Sequence, residues 1–286
     1  MNILLTNDDG ITAPGLWAAA RALAPLGSVL VVAPSTNWSG YGAALPPASE
    51  LGFAPFTVSN DLQERVTAFS VDGTPAACAQ VGLSGALSMQ SIDLVVSGIN
   101  AGLNVGRDVF YSGTVGAAIT ARLMGKPAIA VSLDNGSNGV RHFETAAACL
   151  ADALLEFAGR LLADPAVINL NVPNLPLAQL GGVKVTTLSA WSCANAYQIE
   201  IAGTDSLQLH RIYQGNGTGH VPGTDAWAVA NGYLSVTWLR LFQDLLRIDP
   251  LLDARRNATA PWFFGDRTAS LPQVSHAFDP AFDYHD

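Results

Sequence analysis

The sequence predicts an α/β fold: a Rossmann-like, mostly parallel sheet flanked by helices, with a β-rich C-terminal extension. Short continuous apolar runs alternate with stretches of helical length through residue 172. This alternation is typical of parallel strands that are covered by helices on both faces. After residue 174, strand-like runs follow one another with little helix between them. The two halves of the chain therefore differ in character.

Nine elements are predicted in the first 172 residues. The strands are residues 2–6, 28–33, 92–97, 127–133 and 167–172, each a mostly apolar run. The helices are residues 13–24, 74–87, 114–124 and 143–162. The first helix carries Pro14 in its first turn, where a missing N–H and a fixed φ are tolerated. Strand 2–6, helix 13–24 and strand 28–33 form a βαβ unit.

Three other regions are predicted from turn residues and alternation. Residues 43–71 contain short β-like pieces separated by Pro46 and Pro47, and we expect a β insertion beside the sheet. We expect a metal- and phosphate-binding domain at 1–174, a β-rich extension at 175–240 and a tail of unknown role at 241–286. The extension is expected to contain antiparallel strands at 183–188, 197–201, 207–213 and 233–239, and the tail a helical fragment at 241–248.

The composition argues against a nucleic-acid partner and indicates a compact chain. The formal charge is −9 and the pI is near 4.8, with few and scattered Lys and Arg residues, so duplex nucleic acid is not an expected partner. A small phosphorylated ligand stays possible because a metal ion can supply local positive charge. Hydrophobic residues are 49% and charged residues 13% of the chain, which indicates extensive burial or an oligomer that covers apolar surface.

The cysteines and the apolar runs give no sign of secretion or of a membrane. Cys78, Cys149 and Cys193 are odd in number and form no C-x-x-C pair, so they predict structural thiols instead of a disulfide framework or a zinc cluster. No stretch approaches 18 uninterrupted apolar residues, and no basic leader precedes the first strand. We therefore expect a soluble, cytoplasmic protein with no membrane partner.

Two adjacent carboxylates mark the first candidate site. Asp8 and Asp9 directly follow the first predicted strand, and Gly10 would let the chain turn sharply after them. Ligands bind at the carboxyl ends of strands in open α/β sheets, and paired carboxylates suit Mg²⁺ or Mn²⁺. An ordinary Asp/Gly turn would use the same residue types, so the tetrapeptide alone does not decide between them.

Two loops after neighbouring strands add neutral oxygen and nitrogen groups. Ser39 follows the second strand and could add a hydroxyl ligand, although a Ser/Gly loop is the simpler interpretation. Residues 97–106 are rich in Gly and Asn and are predicted to be a loop. There, Asn100 offers an amide oxygen to a metal and Asn104 offers two N–H groups to a phosphate. No G-x-S-x-G motif accompanies Ser39.

A helix start supplies a candidate anion site. Ser112, Gly113 and Thr114 lead into the helix predicted at 114–124, so backbone N–H groups and two hydroxyls would converge at a helix N-terminus, which favours phosphate. Capping by Ser112 or Thr114 would explain the same residues. No Walker lysine is present, so a P-loop NTPase is not indicated. Because all four segments follow predicted strands, we interpret them together as one site at one edge of the sheet.

These segments resemble the motifs of the survival-protein-E (SurE) family of metal-dependent 5′/3′-nucleotidases. The order and spacing agree over roughly residues 1–240, and the motif segments are residues 1–10, 39–40, 95–102 and 111–118. The resemblance implies that nucleoside monophosphates are substrates and that the protein is a homodimer or homotetramer. The implied metal ligands are Asp8, Asp9, Ser39 and Asn100. The implied phosphate contacts are Asn104, Ser112, Gly113 and Thr114.

Some positions depart from the family pattern. The second motif usually reads Asp-Arg-Asn before its Ser-Gly region, whereas here Ser35, Thr36 and Trp38 replace the acidic and basic positions around Asn37. Ala77 stands where an aspartate is common, and Trp238 stands where a proline is usual.

The sequence-based hypothesis is a metal-dependent phosphomonoesterase of the 5′-nucleotidase type. A divalent ion, Mg²⁺ or Mn²⁺, would neutralise phosphate charge while water attacks phosphorus, and Asp8 or Asp9 would orient or deprotonate that water. A covalent intermediate on Asp8 is conceivable but not required. The alternatives are a non-catalytic nucleotide- or phosphate-binding protein, and a phosphatase for another phosphoester or a short polyphosphate.

Overall fold

The computed structural model describes residues 1–47, 50–87, 90–136, 139–163, 166–201, 207–216 and 221–240. The strands are β1 Asn2–Thr6, β2 Ser28–Pro34, β3 Phe53–Pro55, β4 Val66–Val71, β5 Leu94–Ala101, β6 Ala128–Leu133, β7 Val167–Val172, β8 Val183–Thr186, β9 Ser192–Ile201, β10 Leu207–Asn216 and β11 Leu234–Leu239. The helices are α1 Pro14–Leu23, α2 Pro75–Leu83, α3 Gly113–Leu123, α4 Phe143–Ala163 and α5 Asp225–Ala230. The helical fragment predicted at 241–248 and the rest of the tail lie outside the described residues.

Nine of these strands form one mixed sheet in the order β3-β4-β2-β1-β5-β6-β7-β11-β8. The six strands from β4 to β7 in that order pair in parallel. α1 packs with α4 and α2 packs with α3, and these two helix pairs cover opposite faces of the sheet. The predicted fold class, a mostly parallel sheet flanked by helices, is therefore confirmed.

The alternation of side chains along the buried strands produces two hydrophobic cores. Leu5, Val31 and Val96 belong to the core beneath α1 and α4, whereas Leu4 and Val95 belong to the core beneath α2 and α3. Successive strand side chains point to opposite faces of a sheet, so a parallel strand covered on both faces must be apolar at nearly every position. This requirement is why the continuous apolar runs predicted these strands.

Cys78 and Cys149 are free thiols that pack in these cores. Burial raises the pKa of each thiol to about 12, so both stay protonated and serve as small apolar groups. Within the described ranges, no helix is both long enough and apolar enough to cross a membrane.

The prediction of a β insertion beside the sheet at residues 43–71 was wrong. β4 is a member of the main sheet: it pairs in parallel with β2 over Val66–Val71, and the short β3 pairs antiparallel with β4 at the sheet edge. The sequence of β4 mixes buried and exposed residues because it lies close to that edge, so it lacks the continuous apolar run of the central strands.

The prediction of a loop at residues 97–106 was wrong for its first part. β5 extends to Ala101, with a shift in its pairing to β6 between Ser97 and Asn100. Ser97 and Ile99 are fully buried. The helix predicted over 74–87 is also shorter than expected: α2 ends at Leu83, and Gly85 follows at φ 80°, a left-handed conformation that ends helices.

The strands after residue 174 are not all antiparallel. β11 pairs antiparallel with β7 but in parallel with β8, and both continue the main sheet. β9 and β10 form a separate antiparallel hairpin. The division of the chain into units at 1–174 and 175–240 stays a prediction.

The chain reverses its direction of travel across the sheet between β1 and β5. From β1 it moves outward to β2 and β4, then crosses to β5 and continues to β6 and β7 on the other side. At such a switch point the loops after the two neighbouring strands separate and leave a crevice. The carboxyl ends of β1 and β5 are therefore where a ligand site is expected.

The close approach of α1 to β5 gives a test of the fold. A Cβ added at Gly15 would lie 2.1 Å from the carbonyl oxygen of Ile99 and 2.8 Å from the Phe143 ring. We expect Gly15→Ala to lower the free energy of unfolding by about 1–3 kcal/mol or more, as measured by urea denaturation.

Gly159 in α4 provides the matched control, since a Cβ there would meet nothing within 4 Å. Gly159→Ala should raise the free energy of unfolding by about 0.5–1 kcal/mol. Equal effects of the two substitutions would contradict the packing of α1 on the end of β5.

Candidate functional site

Asp8 and Asp9 lie directly after β1, at the switch point of the sheet. The Asp8 side chain is buried, whereas Asp9 is half-buried. The backbone between β1 and α1 is fixed by Asn7, whose side chain donates to the carbonyl oxygen of Gly10 at 2.9 Å and accepts the Gly10 N–H at 3.2 Å. The two carboxylates are thus presented side by side by a turn that is itself hydrogen-bonded.

The N-terminus of α3 holds the Asp8 carboxylate. Thr114 Oγ1 donates to Asp8 Oδ1 at 2.5 Å, and the backbone N–H of Thr114 also favours the ionised form. A Cβ at Gly113 would lie 2.7 Å from the Asp8 Cβ and 2.9 Å from Asp8 Oδ2. Only glycine permits this approach, so residue 113 lets the helix end reach the carboxylate.

Asp9 is held by the end of β5 and by the loop after β2. The backbone N–H of Ala101 donates to Asp9 Oδ2 at 3.0 Å, and the Asn37 amide donates to Asp9 Oδ1 at 3.3 Å. The positive charge of Arg141 also favours ionised Asp9. Asp9 therefore connects the end of β1 to the end of β5 and to the loop after β2.

The charges and hydrogen bonds around Asp8 and Asp9 do not fully compensate for the burial of the two carboxylates. Burial raises the pKa of Asp8 to about 6, the Thr114 hydrogen bond opposes that rise, and the negative charge of Asp9 adds to it. Burial likewise raises the pKa of Asp9, opposed by the Ala101 N–H and by Arg141. A cation placed between the carboxylates would offset this desolvation of charge, so the pair fits a divalent ion.

Ser39 and Asn100 flank this pair. The backbone N–H of Trp38 donates to the Asp8 carbonyl oxygen at 2.8 Å, and the backbone N–H of Ser39 donates to Asn37 Oδ1 at 2.9 Å. Because Asn37 also bonds to Asp9, the exposed Ser39 lies on a loop that is hydrogen-bonded to both aspartates. Asn100 is half-buried, and its Nδ2 donates to the Gly102 carbonyl oxygen at 2.8 Å. That bond uses the amide nitrogen and leaves Oδ1 as the atom that could bind a cation.

The oxygen chemistry of these residues decides which ions fit. Among the described residues, no group of three or more His, Cys, Asp or Glu side chains could hold a metal ion. A cation beside Asp8 and Asp9 would therefore take its other protein ligands from neutral oxygens, such as those of Ser39 and Asn100. Two carboxylates with neutral oxygens suit hard ions such as Mg²⁺ and Mn²⁺ better than zinc.

Ser112 caps α3, as one of the two interpretations of this segment predicted. Its Oγ accepts the Val115 N–H at 3.1 Å, and the side chain is buried. The hydroxyl hydrogen of Ser112 is not needed for that cap and could be donated to an anion. The Thr114 hydroxyl, in contrast, already donates to Asp8, so its direct contribution at the helix end is to orient that carboxylate.

Asn104 is fixed by a buried network that the sequence did not predict. Its backbone N–H donates to Asn171 Oδ1 at 2.8 Å, and its carbonyl oxygen accepts from the Asn169 and Asn171 amides at 2.8 and 3.0 Å. Its own Nδ2 donates to Ser132 Oγ at 2.8 Å. One of the two amide hydrogens of Asn104 therefore has a protein partner, and the second could still contact a phosphate.

The sequence of β7 did contain a sign of these partners of Asn104. Asn169 and Asn171 interrupt the continuous apolar run of β7, although both are fully buried, and buried polar groups need partners. Asp225 is also fully buried and accepts the N–H groups of Gly106 and Ser189 at 2.7 and 2.8 Å. It fixes the segment between Asn104 and α3 from a position more than 100 residues away.

Comparisons with known proteins found a matching family model and named relatives. The family model described as Survival protein SurE matches residues 3–195. The chain is 42% identical over 238 residues to a protein named 5′-nucleotidase SurE from Histophilus somni (strain 2336), covering 83% of this chain and 91% of that protein.

Two other relatives extend this similarity. A 5′/3′-nucleotidase SurE from Klebsiella pneumoniae (strain 342) is 41% identical over 247 residues, covering 84% of this chain and 90% of its own. A crystal structure of the SurE protein from Aquifex aeolicus superposes with a TM-score of 0.65 at 34% identity, covering 88% of this chain and 99% of that one.

The buried charge of Asp8 gives a pH-dependent stability that a substitution can isolate. With its folded-state pKa near 6 and its ordinary value 3.8, Asp8 favours folding fully below pH about 4 and loses that contribution as pH rises through 6. The loss is on the order of 3 kcal/mol. In chelator, Asp8→Asn should therefore raise the free energy of unfolding at pH 8 but change it little near pH 4.

The measurement is urea denaturation of both proteins across this pH range. If the difference between wild type and Asp8→Asn did not change with pH, the buried and destabilised carboxylate would be contradicted.

Proposed function

The chain belongs to the survival protein SurE family, and we propose that it is a divalent-metal-dependent phosphohydrolase that releases phosphate from 5′- and 3′-nucleoside monophosphates. Its relatives are named nucleotidases. The observation that carries the proposal is the buried carboxylate of Asp8, held by the first turn of α3 and paired with Asp9 at the switch point. We expect the protein to act as a homodimer or homotetramer.

The metal would be held by Asp8, Asp9, Ser39 and Asn100. Asp8 and Asp9 are adjacent, and Ser39 and Asn100 lie on the segments that hydrogen-bond to them. When bound, Mg²⁺ or Mn²⁺ supplies positive charge that neutralises a phosphate oxygen and polarises the phosphorus centre.

The phosphate would lie between the metal ligands and the start of α3. The Ser112 hydroxyl, the remaining amide hydrogen of Asn104 and the backbone N–H of Gly113 would supply donors to its non-bridging oxygens. Thr114 would contribute by holding the Asp8 carboxylate beside them. The space that a Cβ of Gly113 would fill is occupied by Asp8, so this glycine brings the start of α3 next to the carboxylate. These donors are neutral. The positive charge that a dianionic phosphate needs would therefore come from the metal ion.

One of the two aspartates would orient the attacking water and accept its proton. The oxygen of that water bonds to phosphorus as the ester P–O bond breaks, and the nucleoside leaves as its alcohol after taking a proton from solvent. Asp9 is the more accessible carboxylate, whereas Asp8 is bonded to Thr114.

The activity is tested by phosphate release from a panel of 5′- and 3′-nucleoside monophosphates, ribose 5-phosphate and tripolyphosphate. We expect release to require Mg²⁺ or Mn²⁺, to stop in chelator, and to fall by about 10²-fold or more in Asp9→Asn, which removes one anionic ligand. Asp61→Asn is the matched control, because Asp61 is an exposed aspartate in the segment between β3 and β4. The activity of this variant should equal that of the wild type.

Each of the other outcomes favours a different function. Preference for ribose 5-phosphate or tripolyphosphate would indicate a phosphatase for another phosphoester. Nucleotide binding without phosphate release in the presence of any divalent ion would indicate a non-catalytic binding protein and would contradict the hydrolase proposal.

Metal binding is tested separately by thermal unfolding without substrate. A ligand that binds only the folded state raises the unfolding temperature, so Mn²⁺ should raise it in the wild type and much less in Asp9→Asn. Ser39→Ala and Asn100→Ala should each weaken the dependence on Mn²⁺ concentration, whereas Asp61→Asn should not. An equal Mn²⁺ response in all five proteins would contradict the assigned ligands.

A further inference from the structure

We propose that Trp38 and Tyr41 form a stacking surface for the base of the nucleotide substrate. This inference deepens the proposed function and rests on it. It concerns the loop of residues 37–42, which we call the aromatic loop. This loop carries the candidate ligand Ser39 and is hydrogen-bonded to Asp8 and to Tyr111, close to the start of α3. The aromatic pair is part of neither the metal site nor the phosphate site.

The two rings form an edge-to-face pair with one exposed member. Their centroids are 4.8 Å apart and their planes are inclined by 76°, an arrangement that aromatic rings favour. Trp38 is half-buried, whereas Tyr41 is 56% exposed. The inner ring therefore supports the outer ring, and the outer ring offers a large part of its surface to solvent.

Backbone hydrogen bonds attach this pair to the candidate active site at two points. The backbone N–H of Trp38 donates to the carbonyl oxygen of Asp8 at 2.8 Å, and the backbone N–H of Gly42 donates to the carbonyl oxygen of Tyr111 at 3.0 Å. Gly116 in α3 packs so closely on Gly42 that a Cβ there would lie 2.4 Å from the Gly42 carbonyl carbon. The aromatic loop is thus held between the carboxylates and the first turns of α3.

This position matches the covalent structure of a nucleoside monophosphate. A phosphate bound at the start of α3 is joined to its base through one ribose, so the base must contact segments adjacent to that helix end. Tyr111 and Phe110 precede the helix and are 62% and 74% exposed. Tyr41, Phe110 and Tyr111 therefore carry exposed rings on segments adjacent to the start of α3, and base–aromatic stacking tolerates any base.

The residue types also favour stacking over recognition by charge. Ser35, Thr36 and Trp38 are uncharged, so this part of the loop after β2 offers no charged side chain to a base. Among the described residues, Trp38 Nε1 is buried without a hydrogen-bond partner, an arrangement that disfavours the free protein. A base carries ring nitrogens and carbonyl oxygens that could accept this N–H after a small movement of the ring.

The test separates recognition of the base from chemistry at the phosphate. For Tyr41→Ala we expect KM for nucleoside monophosphates to rise roughly 5- to 100-fold, the range for loss of one stacked base, with kcat changed less than twofold. KM for ribose 5-phosphate, which has no base, should not change. Tyr41→Phe retains the ring and should restore wild-type KM, while Trp38→Phe should raise KM modestly because it removes only the indole N–H.

Leu155→Ala is the matched control for loss of an exposed apolar side chain, since Leu155 is 67% exposed on α4. It should leave every constant unchanged. Equal increases in KM for nucleotides and ribose 5-phosphate would overturn the proposal, because the loop would then act only through the phosphate site. A change in molecular mass by light scattering would also overturn it, because Tyr41 would then lie in a contact between copies of the chain.

A binding measurement distinguishes failure of this inference from failure of the proposed function. Adenosine carries the base without a phosphate, and calorimetry should detect its binding to the wild type and a loss in Tyr41→Ala. If the wild type hydrolyses no nucleotide, the nucleotidase proposal fails while adenosine still tests the aromatic surface. If nucleotides are hydrolysed but Tyr41→Ala affects neither KM nor adenosine binding, the aromatic surface alone is wrong.

Discussion

The rest of the structure depends on the burial of the Asp8 carboxylate against the N-terminus of α3. A carboxylate can be buried there because it accepts from Thr114 and because Gly113 has no Cβ to keep the helix away. That contact joins the end of β1 to a helix more than 100 residues later in the chain. The switch of strand order between β1 and β5 then places the Asp9 carboxylate against the Ala101 N–H. Sheet topology and site geometry therefore have a common origin.

The same contact explains why the site is electrostatically incomplete without a cation. Helix N–H groups, one hydroxyl and the charge of Arg141 favour the ionised carboxylates, yet burial is the largest effect and the pKa of both groups is raised. Replacing them with neutral side chains would favour the folded chain but would remove the anionic ligands. Marginal stability at a functional site is the usual result of such a conflict, and here it follows from two named side chains.

Sequence patterns predicted the central strands and the position of the carboxylates because local rules determine both. A strand buried on both faces must be continuously apolar, so β1, β6 and β7 were identified within one residue of their ends. The end of β5 was missed because Gly and Asn resemble a loop, although pairing with β6 resumes at Asn100 after a shift in register. The partners of Asn104 and of Asp8 were missed because side-chain contacts between distant segments leave no local periodicity.

The aromatic loop shows how one scaffold can separate chemistry from recognition. Asp8 and Thr114 are fixed by burial and by the hydrogen bond between their side chains, so a change at either disturbs the other. The Asp9 side chain is held by Ala101 and Asn37. Trp38 and Tyr41 are held by backbone hydrogen bonds instead, which do not depend on the identity of their side chains. Side chains at these two positions can therefore vary without moving the carboxylates. Substrate preference would be free to change there while the chemistry of phosphate release stayed the same.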